Sequence, residues 1–123
     1  MATFTKLALE PAGTTGDGLG ILVTATATAG TAIHTASTTT TTMDEVWLYA
    51  VNSDTTARKL TIEWGGVSSP DDLIEFTVPA EDGLYVVVAG LVIKGNATPL
   101  VVRAFCATAN VVMIAGYVNR ITA

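Results

Sequence analysis

The residues of this chain that could do chemistry are few and lie far apart in the sequence. There is one histidine, His34, and one cysteine, Cys106. A catalytic cysteine needs a nearby base, and the apolar context VVRAFCATA predicts that Cys106 is a small buried thiol. His34 lies in the strand-like segment AIHTA, where a lone histidine is more often a hydrogen-bonded structural group than a base or metal ligand. No serine stands in a G-x-S-x-G motif, so a Ser-His-Asp site is not indicated.

Carboxylates are the second possible source of chemistry. Asp71, Asp72 and Glu75 follow a proline, and the pair Asp44-Glu45 precedes the most apolar segment. Paired carboxylates can hydrolyse glycosides or bind calcium, but Pro-Asp-Asp before a strand is ordinary turn sequence. The glycine-rich stretch GTTGDGLG (residues 13–20) lacks the Lys-Ser/Thr of a P-loop. The sequence therefore predicts no enzymatic activity, no cofactor and no metal site.

Composition limits the class of partner. The chain has 123 residues, of which half are apolar and only 14% are charged, against about 25% in typical soluble domains. Such a surface is poor in charge, so we expect part of it to be covered in an assembly. Eleven acidic residues against six basic ones give a net charge of -5. This balance argues against nucleic acid and against polybasic attachment to a membrane as partners.

The residue pattern predicts an all-β fold in one domain. LVTATATA (residues 22–29) alternates between threonine and small apolar residues, which is the period of a strand. Turn residues recur along the chain and indicate about eight to ten short strands, which favours an antiparallel β-sandwich or jelly roll. Residues 46–52 and 58–64 are predicted to form a hairpin. The threonine run Thr38–Thr42 is predicted to be an exposed loop or strand edge within the domain.

The N-terminal segment is predicted to be separate from this body. Residues 1–18 contain a short apolar piece followed by Pro11 and several glycines, and we expect an extended arm that precedes a β-sandwich body of residues 19–123. Such an arm is suited to adding a strand to the open sheet edge of a neighbour. The segment lacks the basic start and apolar core of a secretion signal, so we expect synthesis and folding in the cytoplasm.

Three predicted strands are apolar on both faces: residues 46–51, 84–88 and 111–118. A strand in a two-sheet sandwich shows one face to the core and the other to water, and should alternate. A homo-oligomeric interface is the simplest source of a second apolar partner. The candidate interface residues are those of the arm and of the most apolar strand: Phe4, Leu7, Leu9, Trp47, Tyr49 and Val51.

Several short motifs resemble those of small structural proteins of tailed bacteriophages. They are GTAIHTA, DEVWLYAVN, LTIEWGG, a Pro-Ala-x-x-Gly-Leu turn and the closing ANVVMIAGYVNRIT, and they cover roughly residues 30–122. Some such proteins are head decoration or cement proteins. The resemblance implies a β-sandwich or jelly-roll body, often trimeric, on the outer capsid surface of the virion. It also implies two partners, further copies of the chain and the major capsid protein, and synthesis in the host cytoplasm.

A second function stays open at this stage. A receptor- or carbohydrate-binding module of a virion would use Trp47, Trp64 or the threonine-rich loops to contact its ligand. Both tryptophans lie in strands with apolar neighbours, which favours a place in the core or in an interface. An enzyme is the third and least favoured class.

Overall fold

The computed structural model describes residues 2–123 and shows nine strands and no helix over that range. The strands form two antiparallel sheets that pack against each other, which confirms the predicted all-β sandwich. The described residues contain no helix long and apolar enough to cross a membrane. The strands are β1 (Thr3–Ala8), β2 (Ile21–Leu22), β3 (Thr31–Thr35), β4 (Met43–Asn52), β5 (Arg58–Trp64), β6 (Leu73–Val78), β7 (Tyr85–Lys94), β8 (Val101–Cys106) and β9 (Val112–Thr122).

The order of the strands is that of a jelly roll. In sheet A, β9 and β4 are central, β7 is one edge, and β1 and β2 share the other edge beside β9. Sheet B has the order β3-β8-β5-β6. Successive strands from β2 onward change sheet at every connection except the β5–β6 hairpin, as in a double-sheet jelly roll. The predicted hairpin of β4 and β5 is wrong, because β4 lies in sheet A and β5 in sheet B.

Alternation along the strands builds the core between the sheets. In β4 the residues Val46, Leu48 and Ala50 are fully buried, whereas the intervening side chains are half-buried on the opposite face. Strand β9 extends the same layer beside β4, and strands β5 and β8 of sheet B supply the facing layer. The buried apolar side chains of these strands include Leu60, Ile62, Val102, Ala104, Val112, Ile114 and Val118.

The N-terminal segment is part of the sandwich, which corrects the predicted arm of residues 1–18 for residues 3–13. Strand β1 pairs with β9 in a register that runs from Thr3↔Thr122 to Ala8↔Tyr117. The chain then crosses to sheet B, where the Glu10 carbonyl accepts hydrogen bonds from the backbone N–H groups of Thr35 (2.9 Å) and Gly13 (3.1 Å). Leu9 and Glu10 are buried. Residue 1, the start of the predicted arm, lies outside the described residues.

The threonine run is a loop between β3 and β4, as predicted. Residues 38–41 are exposed, and Thr42 is buried at the start of β4. The Thr42 N–H donates to the Thr39 carbonyl (3.0 Å), and the Gly95 N–H donates to the Thr42 carbonyl (2.8 Å). These bonds anchor the loop to the end of β7, within the one domain.

Candidate functional site

The outer face of sheet A carries many apolar and aromatic side chains, with one polar row of Lys6, Asn119 and Glu45 across it. Trp47, Tyr49 and Val51 of β4 point outward because their neighbours in the strand point into the core. In the register with β9, Trp47 lies opposite Tyr117 and Val51 opposite Met113. We call this surface the A face; it comprises Phe4, Met43, Trp47, Tyr49, Val51, Val86, Val92, Met113, Ala115 and Tyr117.

An aromatic row crosses the centre of the A face. The rings of Trp47 and Tyr117 are stacked, with an interplanar angle of 10° and centroids 6.1 Å apart, a spacing at which aromatic pairs attract. On the β1 side, Lys6 Nζ lies 4.8 Å from the Tyr117 centroid, a favourable cation–π distance. On the β7 side, Trp47 lies so close to Gly90 that a Cβ there would be 3.0 Å from the indole ring. Lys6 and Trp47 of the same protomer therefore flank the Tyr117 ring on the β1 side and the β4 side.

The polar groups within the A face are satisfied by their neighbours. Glu45 accepts hydrogen bonds from Trp47 Nε1 (2.8 Å) and Asn119 Nδ2 (3.0 Å), and these bonds hold the pKa of the Glu45 carboxyl below its usual value. Burial, together with the neighbouring Tyr117 hydroxyl, raises the pKa of Tyr49 above its usual value. When another protein covers such a surface, the cost in desolvation free energy is small, because the polar groups keep their hydrogen bonds.

The outer face of sheet B is different in chemistry. Lys59 and Glu75 form an exposed ion pair there at 2.9 Å. Glu63 points to the same side but is covered by the loop before β3, since its carboxylate accepts from the Gly30 N–H (2.7 Å) and the Thr28 hydroxyl (2.8 Å). The outer face of sheet B is therefore polar and partly covered by the loop before β3, whereas the A face is mainly apolar and aromatic.

The six predicted interface residues separate into two groups. Phe4, Trp47, Tyr49 and Val51 lie together on the A face. Leu9 is buried in the core, where the chain crosses between the sheets, and Leu7 packs against the core because it lies opposite the buried Val118 in the pairing of β1 with β9. Both are therefore unavailable to a partner in this fold, and the candidate interface keeps the other four. Trp64 also packs against the core.

A buried polar network ties the N-terminal segment to both sheets. A β-bulge between Ala32 and His34 in the pairing of β3 with β8 directs the His34 side chain inward. Its Nδ1 accepts from the Glu10 backbone N–H (3.1 Å), and its Nε2 lies 2.8 Å from Asp44 Oδ2. Since a backbone N–H can only donate, these partners assign the neutral tautomer with the proton on Nε2. The sequence-based interpretation of His34 as a hydrogen-bonded structural group agrees with this geometry.

Arg120 completes this network. Its Nε and Nη2 contact the two Asp44 oxygens at 2.8 and 2.9 Å, and Nη2 is also 3.2 Å from Glu10 Oε1. Burial raises the pKa of the Asp44 carboxyl, but the hydrogen bonds from Arg120 and His34 outweigh it, so that the pKa lies below the usual value. We call Glu10, His34, Asp44 and Arg120 the clamp. The clamp was not predicted from the sequence, although a carboxylate at an inward position of β4 was a possible signal.

A cleft of about 290 Å³ lies beside the clamp and is lined by Arg120 and by the start of the threonine loop. Two of its hydroxyls have partners: Thr35 Oγ1 donates to the Pro11 carbonyl (2.9 Å), and Ser37 Oγ accepts from the Thr39 N–H (3.0 Å). Both ring nitrogens of His34 are engaged as well, so the ring has no lone pair for Ser37. Cys106 is buried in the core as predicted. The cleft is thus stabilised as structure and is not arranged for nucleophilic chemistry.

The chain was compared with protein-family models, curated proteins and solved structures, and no significant match was found. The resemblance to phage structural proteins rests on its sequence motifs alone. The surfaces of the fold are therefore the source of the functional proposal.

Proposed function

We propose that this protein is a structural protein of a tailed-bacteriophage virion. It decorates the outer capsid surface as a homotrimer and stabilises the capsid by bridging subunits of the major capsid protein. It acts by binding and not by catalysis, and its site is the A face.

The difference between the two faces of the sandwich supports this proposal most directly. Soluble monomers rarely expose large continuous apolar surfaces, and such surfaces mark contacts with other proteins. On the A face Phe4 is 73% exposed and Val92 51% exposed, and the central strand β4 presents Trp47, Tyr49 and Val51 on the same side of the sheet. Covering such side chains contributes about 25 cal/mol per Å² of apolar area. The face also accounts for the strand β4, whose sequence is apolar on both sides.

The fold and the clamp are compatible with the same function. Jelly rolls occur in viral capsid proteins and in lectins, a likeness of fold that carries no function by itself. The clamp links the N-terminal segment to both sheets, which suits a protein that must hold its shape under load. Three linked copies, each with a weak footprint, would bind a capsid tightly through effective concentration.

The carbohydrate-binding alternative finds less support in the geometry. A sugar ring needs an open aromatic face, but the Tyr117 ring lies between Lys6 and Trp47, and Trp64 packs against the core. The threonine-rich loop is exposed but carries no aromatic side chain. Glycan binding that is lost on changing Trp64 would favour this alternative.

The first prediction concerns the state of assembly. Sedimentation of the purified protein at micromolar concentration should give a mass of about three times 12.7 kDa. The variant Val51→Glu places a charge on the A face, away from the sheet edges. Its mass in the same sedimentation measurement shows whether the A face contributes to the trimer. A folded monomer at this concentration would contradict the structural proposal.

A further inference from the structure

The four edges of the two sheets are protected in different ways. An exposed edge strand invites pairing with other chains, and proteins usually cover such edges or place charges on them. In sheet B the β3 edge is covered by the crossing segment, through the hydrogen bond from Thr35 N–H to the Glu10 carbonyl. The β6 edge is flanked by acidic residues, among them Asp71, Asp72 and Glu75. Both edges of sheet B are therefore blocked.

The edges of sheet A lack this protection. Strand β7 pairs only with β4, and residues 84–93 contain no charged side chain. Leu84, Leu91 and Val92 of this region are 57%, 46% and 51% exposed. On the opposite side, β1 pairs only with β9, and its first residues are exposed, with Phe4 at 73%. One sheet thus ends in two different edges that face in opposite directions. The β7 edge is apolar, and the β1 edge carries Phe4 and Lys6, whose ammonium lies over the Tyr117 ring.

We propose that the β7 edge of one copy pairs with the β1 edge of the next copy, and that repetition of this contact closes a ring. The inference rests on the proposed function, since it assigns the self-interface of that structural protein. A contact between two different surfaces of identical subunits is heterologous; it forms a ring when the rotation between copies closes, and an open filament when it does not. The A face then runs from copy to copy around the ring, and its centre at Trp47, Tyr49 and Val51 stays available for the capsid.

The shape of β7 favours β1 as its partner over a second β7. The pairing of β4 with β7 shifts register twice, between Val46 and Trp47 and between Leu48 and Tyr49. Extra residues of this kind bend a strand and interrupt its regular edge. Pairing of two complete β7 strands would need a regular edge over ten residues. The exposed part of β1, residues 3–6, needs only the regular stretch of residues 91–94.

Engineered cysteines test this arrangement. Phe4→Cys and Val92→Cys are both at exposed positions, and the native Cys106 is only 1% exposed, so the wild-type protein is the unreactive control. The double variant, treated with a short bismaleimide, should yield covalent species up to about three times 12.7 kDa in a denaturing gel. Each single variant should remain a monomer in the same gel, because equivalent positions do not meet in a heterologous ring.

The outcomes separate this inference from the proposed function. Covalent dimers from Val92→Cys alone would show that two β7 edges meet and would overturn the ring. A trimer by sedimentation whose double variant gives no covalent product would also overturn the edge contact, while leaving the proposed function in place. A monomer by sedimentation would contradict both. As a second measurement, Val92→Lys should raise the dissociation constant of the trimer about tenfold or more, whereas Thr77→Lys on sheet B should leave it unchanged.

Discussion

Replacing Asp44 by alanine should lower the free energy of unfolding by about 3 to 5 kcal/mol, because it removes one partner of a buried charged network. His34 would keep a buried Nε2–H without an acceptor, and Arg120 would lose two of its hydrogen bonds. Asp44 is 1% exposed, so water cannot replace the lost partner in the native structure. Urea unfolding followed by tryptophan fluorescence measures this change.

The pH dependence of stability gives a second readout of the same variant. The pKa of Asp44 is below the ordinary value of 3.8 in the folded protein. The Asp44 carboxylate therefore makes its full contribution to the free energy of unfolding above pH 3.8, and this contribution is lost as the pH falls through the lower pKa of the folded state. Wild-type stability should fall over this acidic range, and Asp44→Ala should lack that part of the fall. Glu75→Ala, which breaks only the exposed pair with Lys59, serves as the control. Equal stability of Asp44→Ala and wild type would contradict a structural role for the clamp.

Removing residues 1–18 should prevent the protein from folding. The deletion takes away β1, the buried Leu9 and the whole of Glu10. The edge of β9 beside β1 would be exposed, and His34 Nδ1 and the Thr35 N–H would lose their bonds to Glu10. The deletion removes buried apolar surface and several buried hydrogen bonds at the same time. The ~5–15 kcal/mol that stabilises an ordinary domain does not offset these combined losses, so we expect an unfolded or aggregating chain.

Circular dichroism and thermal unfolding of the truncated protein test this expectation. Thr5→Ala is the matched control, since it alters the same strand at an exposed side chain that is not among the interface candidates and should leave the melting temperature nearly unchanged. A truncated protein that melts cooperatively near the wild-type temperature would show that the segment is an appended arm after all.

The sequence predicted most of the strands, because alternation is a local property. The predicted strand of residues 22–29 is wrong, however: only Leu22 lies in β2, and residues 23–30 form a loop whose Thr28 and Gly30 donate to Glu63 on the outer side of sheet B. The pattern of β4 predicts buried Val46, Leu48 and Ala50 on one side and the interface candidates Trp47 and Tyr49 on the other. Alternation does not reveal which sheet a strand joins. The short connection from β4 to β5 looked like a hairpin turn, but Asn52 holds it across the sandwich, because its Nδ2 donates to the carbonyls of Thr56 and Val78.

The N-terminal segment and the clamp were harder to predict for a physical reason. Glycines at residues 13–20 favoured an extended arm, so Leu7 and Leu9 were predicted to contact a partner, whereas their burial depends on distant strands of the same chain. The clamp joins residues from four separate parts of the chain. The bulge that directs His34 inward is set by the pairing of β3 with β8, which no short window of sequence contains.

Co-sedimentation with empty capsids tests the proposed function most directly. The capsids should be assembled from the major capsid protein encoded in the same genome, and three forms of this protein should be compared: wild type, Val51→Glu on the A face, and Thr77→Glu on the outer face of sheet B. We expect wild type and Thr77→Glu to pellet with the capsids and Val51→Glu to remain in the supernatant, with all three folded by circular dichroism. Wild-type protein that stays in the supernatant, or a Val51→Glu variant that pellets as fully as wild type, would contradict capsid decoration through the A face.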